Sequence, residues 1–338
     1  MARSKKEKIA IAVSVVIVLI ILSYPIVNRI IMSPERVFAR KGGLQITLVI
    51  DGDGMTESEV DEAATRSVEI ISKRVKEFGI YRPVVRREGP DRILVQLPGS
   101  MDADRKNDMV IRTARLEFRL VRNNEILTET IEALDEALGS VVTELEDTEI
   151  AMPDETFESR PFSSCLSPSR HGDTFVAERY IETIKSFLET PEADSAIPPE
   201  SEFVWASQAS PLPNGEMGKA IYLLNKESHL AGCGISGVKT ERDHENPSFS
   251  VVTIAFDGEG RRLLSRLTGD HVGEKLAIVV DDRVYMAPVI QMKVPDGRCI
   301  ISGGLSEAEA HDLAIMLKAG ELPASLKILD QRIVTPGS

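Results

Sequence analysis

The chain has 338 residues, 42% of them hydrophobic and 28% charged, which is enough for one large or two ordinary domains and excludes a disulfide-stapled miniprotein, a fibre or a fully disordered tail. Its 53 acidic against 40 basic side chains leave a net charge of -13, which argues against nucleic-acid binding, since neutralising phosphates needs basic surface. The charge is uneven, for residues 121–215 hold 20 acidic and 5 basic side chains and carry the whole excess.

Residues 1–8 form a basic tail, and 9–31 are expected to form a transmembrane helix. Ile9–Val27 is 19 residues without a charge, roughly 28 Å as a helix and close to the ~30 Å hydrocarbon layer. The basic tail predicts a cytoplasmic N-terminus and an extracytoplasmic bulk. A cleaved signal peptide shares these features, but Ile20–Val27 lacks a small-x-small exit, which favours an anchor in the lipid bilayer.

Residues 40–122 read as the first half of a base. Leu44–Ile50 is a strand ended by Asp51-Gly-Asp-Gly54, and Thr56 with Glu59 is a capping box opening a helix whose apolar residues recur every three or four positions until Gly79. Arg92–Leu97 is a strand closed by Pro98-Gly99, Asp102–Arg112 a helix, and Arg115–Val121 a strand.

Residues 123–248 read differently, as an inserted, acidic head with helices predicted at Glu132–Leu138 and Thr174–Leu188 and no sustained strand alternation up to about Pro213. Phe162, Phe175, Phe203 and Trp205 lie there among charges and chain breakers. They are the candidates for contact with an unfolded polypeptide, the competing assignment being the head's own core.

Residues 249–332 resume the base. Phe249–Phe256 is a strand, Arg261–Leu267 a helix, and Leu276–Val280 with Arg283–Met286 a hairpin turning at Asp281-Asp282. Cys299–Ser302 is a strand, Ser306 with Glu309 caps a helix stopped by Gly320, Leu326–Leu329 is the last strand, and 333–338 the C-terminal end. The fold class is α+β: a ferredoxin-like antiparallel sheet base, made from both halves, carrying the inserted acidic head beyond an N-terminal transmembrane helix.

No nucleophile elbow, triad or metal-ligand spacing is present, so no enzyme activity and no cofactor are expected. Gly42-Gly43 and Gly303-Gly304 lack the lysine of a phosphate loop and point to close backbone approach or a bulge, while Gly269 and Gly273 shape a loop around His271. Cys165, Cys233 and Cys299 allow at most one pair, Cys165 with Cys233, or none.

Eight blocks in order resemble the SecD family of protein-export membrane proteins. They are Gly42–Val49, Ile71–Gly79 with Pro83, Gly89–Gly99, Thr113–Leu120, Leu267–Asp281, Ala287-Pro288, Ile301–Gly304 and Leu317–Ala324. The resemblance covers the anchor and base and leaves the head almost unmatched. It implies a subunit that works with a SecF-like partner and the SecYEG channel, outside the cytoplasm, to draw unfolded exported polypeptides across the membrane using the proton gradient. A membrane-tethered scaffold that kept the base fold without export activity is the alternative. A SecD-like protein continues past Ser338 into five more transmembrane helices, so both a piece of a longer chain and a short form fit. Arg36–Lys41 and Asp282 depart from the family pattern, the latter standing where glycine is usual.

Overall fold

A computed structural model describes residues 33–99, 103–144, 157, 159–168, 173–230 and 234–336. The tail and the anchor expected over 1–8 and 9–31 lie outside them, as does Cys233. Among the described residues no helix is long and apolar enough to cross a membrane.

The described residues begin with helix α1 (Pro34–Lys41), strand β1 (Gly43–Ile50), α2 (Glu57–Glu77), β2 (Val84–Arg87), β3 (Arg92–Pro98) and α3 (Ala103–Ile111). It continues through β4 (Leu116–Leu120), α4 (Asn124–Glu144), β5 (Leu166–Pro168), β6 (Thr174–Ala177), α5 (Ile181–Leu188), α6 (Pro191–Ala196), β7 (Ser201–Pro211), β8 (Met217–Asn225) and β9 (Ile235–Arg242). Then follow β10 (Ser250–Phe256), α7 (Gly258–Asp270), β11 (Leu276–Val280), β12 (Arg283–Met286), β13 (Arg298–Leu305), α8 (Glu307–Ala319) and β14 (Leu326–Val334). These elements form two compact units, one running up to Thr113 and resuming at Leu322, the other spanning Ala114–Glu321.

The first unit is a four-stranded antiparallel sheet in the order β14-β1-β3-β2. With α2 between β1 and β2, and α3 after β3, this is the split βαβ arrangement expected for the base. Leu44, Ile46, Leu48 and Ile50 alternate along β1, as do Ile93, Val95 and Leu97 along β3, and all are buried on a sheet that α2 contacts. The capping box of α2 is formed: Thr56 N–H donates to Glu59 Oε2 at 2.7 Å, and Glu59 N–H to Thr56 Oγ1 at 3.4 Å. Gly43 permits the closest approach in the sheet, since a Cβ there would stand 2.2 Å from Leu97 O.

The second unit holds a seven-stranded sheet, β4-β11-β12-β7-β8-β6-β5, and a three-stranded one, β13-β10-β9. Here the expected boundaries need correction. Of residues 249–332, only Leu322 onward belongs with the base; the remainder is bonded to the presumed head, and so is β4 from the first half. Backbone pairing is the reason: β10 takes β9 as one neighbour, β11 takes β4, and β12 meets β7 at Val284 and Ala206. The insertion into the ferredoxin-like unit is therefore Ala114–Glu321, and one strand, β14, completes the sheet around it.

Local corrections follow from the same pairing. Thr174–Leu188 is not one helix: Thr174–Ala177 pairs with β8, and only Ile181–Leu188 is α-helical. The helix expected at Glu132–Leu138 extends over Asn124–Glu144, and the segment read as having no sustained strand alternation up to about Pro213 contains β7, the first strand of a long hairpin with β8. The α7 helix runs on to Asp270, so Gly269 sits in its last turn rather than in a loop. Gly303 and Gly304 occupy a bulge, where the β10–β13 register shifts and a Cβ on Gly303 would meet Tyr285 O at 2.7 Å. The turn at Asp281-Asp282 forms as expected, with φ of +51° and +57°.

Candidate polypeptide-contact site

The four aromatic candidates come together, but as a core. Phe162 is 0% exposed and packs with Phe157, Phe187, Ile184 and Tyr180, and half-buried Phe175, Phe203 and Trp205 close the same cluster. The Phe162 and Phe203 ring centroids are 5.5 Å apart. Asp135 on α4 fixes this packing: its Oδ1 accepts the Phe162 and Ser163 N–H groups at 2.8 and 2.9 Å, which satisfies a buried carboxylate. Phe162 thus has no surface to offer a client, a correction to its expected place in a groove.

A different segment supplies an open apolar surface. Pro288–Val294 crosses the mouth of the core shared by β4, β11, β10, β13, α7 and α8, leaving a cavity of about 260 Å³ lined by Phe118, Leu264, Ile278, Val289, Met292 and Ile300. Met292 is 71% and Ile300 54% exposed, large apolar side chains at the rim rather than in the core. The loop is held at both ends, Pro288 O accepting Leu276 N–H at 2.9 Å and Val294 N–H donating to Thr268 Oγ1 at 2.9 Å. Cys299 lines the floor, and burial pushes its thiol up to about 12, so it is an inert apolar surface.

Sequence reasoning stopped at Ala287-Pro288 and resumed at Cys299, missing this loop. Its signal was an apolar series, Val289, Ile290, Met292 and Val294, bracketed by prolines and fitting neither a helical nor a strand period. Among the described residues no group of three or more His, Cys, Asp or Glu could hold a metal ion.

Comparisons with known proteins agree with this architecture. A family model for the N-terminal part of the SecDF P1 domain matches residues 64–123, and one for the SecDF P1 head subdomain matches 207–324. The head match runs through the segment expected to rebuild the base and takes in every cavity-lining residue except Phe118. The chain is 33% identical to protein translocase subunit SecD of Rhodothermus marinus over 82% of its own length and 47% of the relative's, and 32% identical to that of Magnetococcus marinus over 81% and 40%. It thus spans about half the length of the curated relatives it matches. A crystal structure of SecDF in a super-membrane-facing form superposes with a TM-score of 0.54 at 24% identity, covering 88% of this chain and 31% of that one, which bears on the fold. The split βαβ unit, the large insertion it carries and these two domain matches place the chain in the SecD/SecDF family of protein translocase subunits.

Proposed function

We propose that the chain is the membrane-anchored, extracytoplasmic part of a SecD-type auxiliary subunit of the Sec translocon. It handles exported polypeptide as it emerges from the SecYEG channel, beside a SecF-like partner, in export assisted by the proton-motive force. Residues 9–31 hold it in the bilayer, with the rest outside the cytoplasm. The observation that carries this reading is the open apolar cavity behind Met292 and Ile300, inside the region that matches the P1 head. An unfolded chain presents apolar side chains without tertiary partners, and a preformed apolar recess removes them from water without distinguishing one sequence finely from another. The half-buried Phe175, Phe203 and Trp205 are secondary contacts in the same role.

Site-specific photo-crosslinking tests this in cells with the complete translocon. Probes at Met292 and Ile300, with Phe203 and Trp205 for comparison, are activated during export of an arrested precursor. Crosslinks to the precursor that disappear when export is blocked upstream are expected at Met292 and Ile300. Crosslinks to neighbouring membrane proteins alone would replace this reading with that of a scaffold.

A further inference from the structure

The loop Gln291–Pro295 is a wall with two sides. Met292 and Val294 line the apolar cavity, whereas Lys293 and Pro295 line a second, open cleft of about 470 Å³ along α7, the alternation of an extended chain. Thr268 secures the wall to the helix, accepting from Val294 N–H and donating to Leu264 O at 2.7 Å. The Lys293 stem lies over Gly269, where an added Cβ would meet its Cδ at 3.3 Å, and Arg261 packs against Gly297. Both sides of the wall are therefore built on the same helix.

The second cleft has the opposite character to the first. Arg261, Arg262, Arg266 and Lys293 line it, against one carboxylate, Asp270. Arg298 adds a fifth cation to the lining of the apolar cavity. Among the described residues none of these five is in an ion pair, in a protein whose net charge is -13. Like charges that outnumber the single carboxylate beside them repel one another, and an anionic occupant relieves that repulsion.

We propose that the two clefts read one client segment: an extended stretch that places a bulky apolar side chain in the cavity and acidic neighbours against Arg262, Arg266 and Lys293. The proposal rests on the polypeptide-handling reading above and narrows it to a substrate class, apolar residues flanked by Asp or Glu. The cavity is concave and smaller than a drug-sized pocket, room for a side chain or two. Alternation across a wall one residue thick matches the alternation of side chains along an extended peptide.

The test uses the full chain in detergent micelles and fluorescent twelve-residue peptides with one apolar centre, flanked by Glu, Gln or Lys. The Glu-flanked peptide is expected to bind about tenfold tighter than the Gln-flanked one, since a few exposed charge pairs together supply roughly that factor. The advantage should shrink as salt rises, and it should vanish in Arg262→Gln/Arg266→Gln/Lys293→Gln while the Gln-flanked peptide binds as before. Ile300→Asp should weaken the Glu- and Gln-flanked peptides alike. Equal binding of all three peptides, still sensitive to Ile300→Asp, overturns the acidic preference and leaves polypeptide handling standing. Binding of none of them removes both. Binding to phosphatidylglycerol vesicles that the triple substitution abolishes, with no preference among peptides, overturns the proposal and assigns the cations to a lipid surface.

Discussion

Arg74 offers the sharpest test of what holds the first unit together. It is wholly buried on α2 and reaches the end of α3, where a helix leaves its last carbonyls without intrahelical partners. Its Nη1 donates to Arg112 O and, at 3.4 Å, to Met109 O, while Nη2 donates to Thr113 O at 3.1 Å. Thr113 O also accepts Leu322 N–H at 2.9 Å, so this cluster joins the point where the chain leaves the unit to the point where it returns. Hydrogen bonds from a charged donor contribute about 1.5–3 kcal/mol each, and the 3.4 Å contact is too long to count in full. Two bonds give about 3–6 kcal/mol, from which Arg74→Met recovers the cost of burying a cation, leaving a loss of roughly 2–4 kcal/mol. Native-state hydrogen exchange on the detergent-solubilised chain should show protection of the α3 and β14 amides falling roughly 30- to 1,000-fold. The β10 and β13 amides of the second unit serve as reference and should change far less. Arg74→Lys, which keeps the charge without the planar fork, should fall between. A change under about threefold in Arg74→Met, or an equal change in both units, would refute the reasoning.

Three further outcomes are expected. Burial raises the Glu321 carboxyl above its ordinary value of 4.5, with Arg115 opposing and Glu117 and Asp281 adding to the rise. The ionised form is then a cost in the folded state that protonation relieves, so the wild type should gain stability relative to Glu321→Gln as pH falls through the raised pKa towards 4.5; parallel melting curves for the two proteins would contradict this. Asp282→Gly, which removes a side chain at φ +57°, should raise thermal stability by about 0.5–1 kcal/mol, whereas Asp281 is kept because its Oδ1 accepts Arg115 N–H at 3.1 Å; a lower melting temperature would count against strain in this turn. Gly43→Ala should part β1 from β3 and cost about 2 kcal/mol or more, seen as lost amide protection in both strands; unchanged protection would mean that the sheet yields more easily than the 2.2 Å approach implies.

Much of the local structure was legible in the residues. The capping boxes at Thr56 and Ser306, the helix stops at Gly79 and Gly320, the strands β1 and β3 and the Asp281-Asp282 hairpin all form as read. Each is a short-range effect in which a side chain bonds backbone within about three residues or a φ preference selects a turn. The β7–β8 hairpin escaped because most positions on β7 are half-buried on either face, which leaves no clean polar and apolar alternation. The aromatic candidates cluster, and Phe162 lies wholly inside the cluster, since composition places rings among charges and does not say which of them face inward.

By itself, then, the sequence determined most element types outside residues 123–248, the caps and turns of those elements, the α+β class and the family resemblance carried by eight ordered blocks. Tertiary structure alone decided which strands share a sheet, and hence that the insertion is Ala114–Glu321 and that β14 alone closes the ferredoxin-like unit. It also decided that Phe118, Leu264 and Ile300, from three distant segments, converge on one cavity. The physical reason is range. Caps and periodicity act within a turn or a strand, whereas the pairing of β4 with β11 joins residues whose sequence neighbours carry no mark of each other, and it is selected by burial of a common core.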